Sequence, residues 1–150
     1  MTELGKLYLI RGLPGSGKTT LASKMAQEKD LRHFEADMWF TDSDGTYNFD
    51  AKKLYRAHEW CRDMVEAEVI AGRDVIVSNT FTTYKEMETY LLMCVAHQYQ
   101  AIVIACTGDY GTVHNVPPTT IFRMKQRWLT NAALEEKLSN WGQTLITMEA

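Results

Sequence analysis

The feature that most constrains this chain is the segment 12–19, GLPGSGKT, which matches the phosphate-binding pattern G-x-x-x-x-G-K-[ST] in full. Its glycines let the backbone turn tightly, so that successive N–H groups can point at a β-phosphate. Lys18 is expected to bridge the β- and γ-phosphates, and the Thr19 hydroxyl is expected to bind Mg²⁺. The residues predicted to bind nucleotide are Gly12, Pro14, Gly15, Ser16, Gly17, Lys18, Thr19 and Thr20.

The flanking residues place this loop between a strand and a helix. Residues 6–11 (KLYLIR) are typical of a short buried strand, and residues 20–26 carry apolar side chains at helical spacing. The dipole of a helix that begins at the loop favours the negative charge of a phosphate. A glycine-rich turn without a ligand is the alternative, but strand, loop and helix all fall where the nucleotide-binding motif requires them.

The rest of the chain alternates between apolar runs and helical patterns. Further strands are predicted at 31–37, 74–78, 101–106 and 143–148. Further helices are predicted at 51–71 with Asp50 as N-cap, from Thr82 or Thr83 to about Gln98, at 121–128 after Thr119 or Thr120, and at 131–140. This order predicts one domain over residues 1–150, with the three-layer α/β fold of P-loop NTPases, a mostly parallel sheet and a helical lid at about 107–128.

Composition excludes several other classes of protein. The 150 residues are 45% hydrophobic and 23% charged, which is typical of a globular domain, and no apolar run approaches the length of a membrane span. The first residues lack the layout of a signal peptide, so a cytoplasmic location without membrane attachment is expected. Cys61, Cys94 and Cys106 are odd in number and far apart, which predicts buried thiols and neither a disulfide framework nor a zinc site.

The motif predicts nucleotide binding, and the exclusion of other classes of nucleotide-binding protein narrows the type of reaction. No N-K-x-D base-reading signature of a GTPase is present, and 150 residues leave little room for a large mechanochemical ATPase. A compact phosphotransferase that uses ATP and Mg²⁺ is the remaining class. Asp37, predicted at the end of the second strand, is the best candidate for the base that deprotonates an acceptor hydroxyl. Its alternative role is to hold a water on Mg²⁺, because the third strand ends in Ser78 and not in an acid.

Arg123 and Arg127 lie four residues apart on the predicted 121–128 helix and therefore share one face. Exposed arginines of this kind usually serve solvation or surface pairing. Because the helix follows the loop after the fourth strand, on the phosphate-binding edge, we instead expect both arginines to be catalytic. They would stabilise charge on the transferring phosphoryl group.

Several motifs together resemble the polynucleotide-kinase-like family of small P-loop kinases. They are residues 11–20 (RGLPGSGKTT), 35–37 (EAD), 47–50 (YNFD), 57–61 (AHEWC), 78–82 (SNTFT) and 114–117 (HNVP), and the likeness spans residues 6 to about 128. The resemblance implies that Asp37 is the general base and that Asn79 and Thr80 shape the phosphate and acceptor pocket. It also implies that His114 lies in a lid segment. Gly111 stands where that segment has an arginine in many members, so either Arg123 or Arg127 substitutes for it, or this member is a weak kinase or a nucleotide-dependent binder.

The leading hypothesis is an ATP- and Mg²⁺-dependent kinase that phosphorylates a hydroxyl of a nucleic-acid 5′ end, a nucleoside or a nucleotide. A kinase for a small molecule such as an antibiotic or sugar is the first alternative. A nucleotide-binding regulatory module with slow ATP hydrolysis and a protein partner is the second. The net charge of −3 weighs against a broad grip on nucleic acid, since such a grip needs clustered Lys and Arg.

Overall fold

The computed structural model describes residues 5–111 and 116–150. Within these ranges, five strands form a single sheet in the order β2-β3-β1-β4-β5, and every neighbouring pair is parallel. The strands are β1 (Lys6–Gly12), β2 (Arg32–Phe34), β3 (Val75–Asn79), β4 (Gln100–Cys106) and β5 (Leu145–Glu149). The predicted α/β fold is confirmed, and the sheet is entirely parallel.

Helices cover both faces of this sheet. They are α1 (Lys18–Lys29), α2 (Leu54–Ile70), α3 (Tyr84–His97), α4 (Pro118–Gln126) and α5 (Asn131–Lys137). One core cluster joins α1 to one face, and a larger one joins α2, α3 and α5 to the opposite face. The predicted three layers are therefore present.

The central strand β1 is buried on both faces. Leu7 and Leu9 point into the larger core cluster, whereas Tyr8 and Ile10 point toward α1. Alternate residues of a strand face opposite sides of its sheet, so a strand covered on both sides reads as a continuous apolar run. The segment 12–19 thus begins at the end of a strand that is buried on both faces.

Strand β2 is shorter than predicted, because it ends at Phe34 and not at Asp37. Beyond Phe34, the backbone N–H of Ala36 donates a hydrogen bond of 2.9 Å to Oδ1 of Asn79. A side chain thus takes the place of the next ladder bond, and the chain turns into a short 3-10 helix, Ala36–Phe40. Asp37 lies in the first turn of that helix.

Helix ends follow the local chemistry of their caps. Thr83 caps α3 in a reciprocal capping box with Glu86, as one of the two predicted alternatives required. Helix α4 begins earlier than predicted, at Pro118, because the fixed φ of proline suits a first helical turn. Val95, near the end of α3, lies outside the buried face of that helix, since its side chain is 59% exposed.

The three cysteines are buried and free, as predicted. Among the helices that the structure describes, none combines the length and the apolar character needed to cross a membrane.

Candidate nucleotide and acceptor site

The candidate site lies where β1, β2 and β3 end, at the carboxyl edge of the sheet. Ligands of open α/β sheets bind at this edge. β1 continues into the phosphate loop, β3 into Asn79 and Thr80, and β2 into Glu35 and Asp37. A backbone hydrogen bond of 3.3 Å from Gly12 N to Thr80 O joins the first two of these segments.

The phosphate loop has the geometry of an anion site. Gly15 and Gly17 both have left-handed backbones, with φ of 82° and 92°, which residues with a Cβ rarely adopt. Gly17 caps α1 without any side-chain hydrogen bond, and the first turn of α1 contains no acid. Ser16 Oγ is buried and has no hydrogen-bond partner among the described residues. The N–H groups at the start of α1 are therefore suited to a phosphate.

Lys18 is the cation of this loop. Burial lowers the pKa of Lys18, while the negative charges of Glu35 and Asp37 raise it. The ammonium group thus lies within electrostatic reach of both acids that follow β2. A phosphate placed on the loop would meet this cation and the two acids together.

Glu35 is the site residue that sequence reasoning missed as a functional group. Its Oε2 accepts hydrogen bonds from Thr19 Oγ1 at 3.0 Å and from Ser78 Oγ at 3.2 Å. Burial raises the pKa of Glu35, and the Thr19 and Ser78 hydrogen bonds and the Lys18 charge oppose that rise. Its position could have indicated a functional role, because Glu35 directly follows the last residue of β2 and precedes Asp37 by two residues.

Asp37 faces a different group of side chains. Its Oδ1 accepts a hydrogen bond of 3.2 Å from the Tyr47 hydroxyl. Burial and the Asp37 charge together raise the pKa of Tyr47 to about 12, so the phenol stays protonated and remains a donor. Burial lowers the pKa of His58 on α2, and Asp37 is among the charges that act on this imidazole. The Tyr47 hydrogen bond and the influence on His58 place Asp37 on the α2 side of the site, while its charge also reaches Lys18.

A cavity of about 310 Å³ lies between α2, α3 and the end of β3. Its lining residues are His58, Arg62, Asn79, Thr80, Phe81, Lys85, Glu86, Thr89 and Tyr90. Phe81 has a left-handed backbone with φ of 44°, an uncommon conformation for a bulky residue and one that clusters at functional sites. Asn79 and Thr80, the predicted pocket residues, both lie on this wall.

Asn79 lines the cavity and also forms hydrogen bonds with neighbouring segments of the fold. Its Oδ1 accepts from Ala36 N, and its Nδ2 donates to Cys61 Sγ at 3.8 Å. Since both ends of the amide are engaged, Asn79 fixes the 3-10 helix that carries Asp37 against β3. The side chain therefore positions the acid as well as lining the pocket.

The predicted lid residues are spread over several places. Arg127 Nε donates to Thr82 Oγ1 at 2.9 Å, and Arg123 lies on an exposed part of α4. His114 falls outside the described residues. Tyr110 N donates to Gly15 O at 2.7 Å, so the segment after β4 begins in contact with the phosphate loop. The hydrogen bond of Arg127 thus joins the end of α4 to the segment after β3.

Arg11, one residue before the loop, is completely buried. Its Nε donates to Phe81 O and its Nη1 to Asn131 Oδ1, both at 2.9 Å. The guanidinium carbon lies 3.9 Å from the centre of the Trp128 ring. Burial lowers the pKa of Arg11 to about 10, which still leaves it charged at neutral pH. One cation therefore braces β1 against the segment after β3 and against α5.

Among the described residues, no group of three or more His, Cys, Asp and Glu side chains could hold a metal ion by itself. A kinase magnesium site does not require one, because Mg²⁺ keeps several waters and binds one or two protein oxygens together with phosphate oxygens. The Thr19 hydroxyl and the Glu35 carboxylate, 3.0 Å apart beside the loop, suit that kind of site.

Comparisons with known proteins agree with this geometry. A sequence profile of the family described as AAA domain matches residues 7–114. NEDD4-binding protein 2 of Homo sapiens is 33% identical over 97 residues, which is 64% of this chain and 6% of that protein. The chain therefore spans only a small part of this relative's length.

Solved structures share the fold at low sequence identity. Kti12 of Chaetomium thermophilum, in complex with ADP-AlF3, gives a TM-score of 0.67 at 13% identity, over 95% of this chain and 88% of that one. A chain of the Pnkp1/Rnl/Hen1 complex gives 0.56 at 18% identity, over 82% and 40%. The APS kinase CysC of Mycobacterium tuberculosis gives 0.54 at 16%, over 83% and 94%. The fold is that of P-loop kinases, which confirms the resemblance predicted from the motifs.

Proposed function

This chain belongs to the AAA domain family, and we propose that it is a phosphotransferase that moves the γ-phosphate of ATP to an acceptor hydroxyl in the presence of Mg²⁺. The observation that carries the proposal is the placement of two acids on two sides of one site. Glu35 lies beside Thr19 of the phosphate loop, whereas Asp37 lies with Tyr47 and within electrostatic reach of His58 at the helix side. A site that only bound or hydrolysed a nucleotide would not need the second side.

On the phosphate side, the N–H groups of residues 15–19 would cradle the β-phosphate, and Lys18 would neutralise the charge of the β- and γ-phosphates. Thr19 would bind Mg²⁺ through its hydroxyl oxygen. When bound, this ion supplies charge neutralisation across the β- and γ-phosphates. The largest part of catalysis would then come from electrostatic stabilisation by groups that are already in position.

On the acceptor side, Asp37 would accept the proton of the attacking hydroxyl. Tyr47 donates to Asp37 Oδ1 and so holds the carboxylate in one orientation. The cavity beside it carries Arg62, Lys85 and the partly buried His58, with Glu86 as its acid. The two cations, Arg62 and Lys85, favour an acceptor that bears negative charge, such as a nucleotide or a nucleic-acid 5′ end, over a neutral sugar.

Arg123 and Arg127 remain proposed as cations for the transferring phosphoryl group. Arg127 is held on Thr82, which is next to the cavity residue Phe81, and Arg123 lies on the same short stretch of chain. A single catalytic domain over residues 1–150 is part of the same proposal.

The proposal can be tested by following labelled γ-phosphate from ATP with Mg²⁺. The acceptor panel consists of 5′-hydroxyl DNA and RNA oligonucleotides, nucleosides, nucleotides, simple sugars and water alone. We expect transfer to at least one phosphate-bearing acceptor and a collapse of that transfer in Asp37→Asn. Transfer to neutral sugars alone would favour the small-molecule kinase. Release to water alone, unchanged in Asp37→Asn, would contradict the proposal and favour the regulatory module.

A further inference from the structure

We propose that Glu35, on the segment after β2, supplies the acid that P-loop NTPases generally take from a strand next to the phosphate loop. In many of these proteins, Mg²⁺ is held by the loop hydroxyl together with an acid at the end of a neighbouring strand. Here the neighbouring strand β3 carries Ser78 near its end, and Ser78 has no charge to offer. This inference rests on the proposed function, because it assigns a residue to the magnesium site of that reaction.

The contacts of Glu35 carry the inference. Its Oε2 accepts from the Thr19 hydroxyl at 3.0 Å and from the Ser78 hydroxyl at 3.2 Å, so one oxygen touches both the loop and the end of β3. The Thr19 hydroxyl gives its proton to this carboxylate, which leaves the lone pairs of Oγ1 available for a cation. A loop hydroxyl and an adjacent carboxylate are oxygen ligands of the type that Mg²⁺ prefers, directly or through water.

Strand order explains why the acid is a glutamate and its neighbour a serine. β3 lies between β2 and β1, so an acid on β2 must reach across β3 to meet the loop. Glu35 is longer than an aspartate by one methylene, and Ser78 is small and fully buried directly beneath its path. An acid at position 78 beside Glu35 would place two like charges together.

His33 completes the support of this pair. His33 Nε2 lies 2.7 Å from Ser78 Oγ. Because Ser78 gives its own proton to Glu35, His33 must be the donor to Ser78, from the Nε2–H tautomer. The hydrogen bonds then run in one direction, from His33 to Ser78 to Glu35. The carboxylate is thus held in place by the neutral hydroxyl donors Thr19 and Ser78.

Glu35 therefore has two opposing effects on nucleotide binding. Its charge acts on Lys18 and repels the phosphates when no metal is present, whereas it attracts Mg²⁺ when the metal is present. A residue with a merely structural role would support nucleotide binding equally in both conditions. The magnesium dependence of nucleotide affinity thus separates the two roles without any measurement of turnover.

The test measures the affinity of the full chain for a fluorescent ATP analogue, in EDTA and over a range of Mg²⁺ concentrations. In Glu35→Gln, which keeps the size of the side chain, we expect metal-free affinity to be unchanged or higher. The apparent affinity for Mg²⁺ should fall by about 10- to 100-fold. Glu28→Gln is the matched control, since Glu28 is exposed near the end of α1 and pairs with Lys24, and it should keep the magnesium dependence of the wild type.

An exchange variant sharpens the test. Glu35→Ser with Ser78→Asp moves the acid to β3, and we expect it to regain most of the Mg²⁺ affinity that Glu35→Gln loses. Circular dichroism verifies that each variant is folded. If the exchange variant does not fold, the result for Glu35→Gln alone tests the inference. Equal weakening of nucleotide binding with and without Mg²⁺ in Glu35→Gln would overturn the inference, and so would an unchanged magnesium dependence.

Failure of the inference can be told apart from failure of the proposed function. If Glu35→Gln keeps full magnesium dependence while wild type transfers phosphate and Asp37→Asn does not, the inference is wrong and the phosphotransferase stands. If wild type binds nucleotide without any effect of Mg²⁺ and transfers phosphate to no acceptor, both are overturned.

Discussion

The phosphate side of the site is assembled mainly from consecutive residues, whereas the acceptor side gathers residues from distant segments. Residues 12–19 form one loop, and Glu35 and Ser78 meet it at the ends of neighbouring strands. The proposed acceptor side instead combines Asp37 from a 3-10 helix, Tyr47 from an isolated β-bridge with Thr41, and the walls of α2 and α3. In the proposed function, the chemistry of ATP would thus be encoded locally, and the choice of acceptor would depend on tertiary packing.

This difference has a consequence for how each side responds to substitution. Phosphate binding would depend on backbone N–H groups and on the half-buried Lys18, so few side chains could be exchanged without loss. The acceptor cavity is lined by long side chains such as Arg62 and Lys85, which can change while the strands stay in place. We expect variants to separate the two sides cleanly.

The largest expected effect is that of Lys18→Ala, which breaks the phosphate side. Removing the cation beside Glu35 and Asp37 deprives the transferring phosphates of electrostatic stabilisation. Phosphate transfer should fall by at least about 10³-fold, as for a lost oxyanion-type contact. Lys24→Ala on the same helix is the control. Lys24 is exposed, and its ion pair with Glu28 is long, with 3.9 Å between Lys24 Nζ and Glu28 Oε1. Comparable losses in the two variants would contradict the assignment of the loop.

Asp37→Asn should break the acceptor side alone. Removal of a general base typically lowers the rate by about 10²- to 10³-fold, and nucleotide affinity should stay within about twofold. Steady-state transfer and nucleotide titration measure the two quantities separately. Asp63→Asn, at an exposed position of α2, should change neither. A large loss of ATP affinity in Asp37→Asn would instead place this acid on the phosphate side.

Arg62→Gln is expected to act on the acceptor alone and more weakly. If the cavity binds a negatively charged acceptor, the KM for that acceptor should rise by about tenfold, with little change in the KM for ATP. Arg56→Gln provides the comparison, because Arg56 is exposed on the same helix and contacts Tyr55. Equal effects on the two KM values would indicate that the cavity does not bind the acceptor selectively.

The smallest expected effect is that of Thr83→Ala, which loosens the wall of the acceptor side without touching its chemistry. Thr83 caps α3 through a reciprocal capping box with Glu86. Loss of such a cap costs about 1 kcal/mol in the free energy of unfolding. Urea denaturation measures this change, and both KM values should stay unchanged. A selective rise in the acceptor KM would show that the start of α3 shapes the pocket directly.

The sequence was sufficient to predict the phosphate side, because a contiguous motif and its flanking strand and helix carry most of it. The fold class, the order of strands along the chain and the capping of α3 by Thr83 follow from local patterns and were confirmed. Asp37 was predicted at the end of β2, but the hydrogen bond from Ala36 to Asn79 ends the strand earlier. That bond joins residues 43 positions apart, which local periodicity cannot indicate.

Glu35 and the cavity could not be assigned from sequence for the same reason. The meaning of Glu35 depends on Ser78 and Thr19, and these three residues meet only because β2, β3 and β1 are neighbours in the sheet. Arg127 stays a predicted cation for the phosphoryl group, and its hydrogen bond to Thr82 depends on where α4 ends. Tertiary neighbours, and not the spacing of residues, decide these contacts.

Arg11 couples the opening of the two sides of the site in solution. Its guanidinium joins the strand that feeds the phosphate loop to Phe81, which lines the acceptor cavity, and to Asn131, whose amide donates to Met148 O in β5. Because one buried guanidinium is hydrogen-bonded to both sides, neither side can open far without leaving this buried charge short of its partners. Amide protons of β1, β3 and β5 should therefore exchange with solvent in a single cooperative opening, so that the site is lost or regained as a whole.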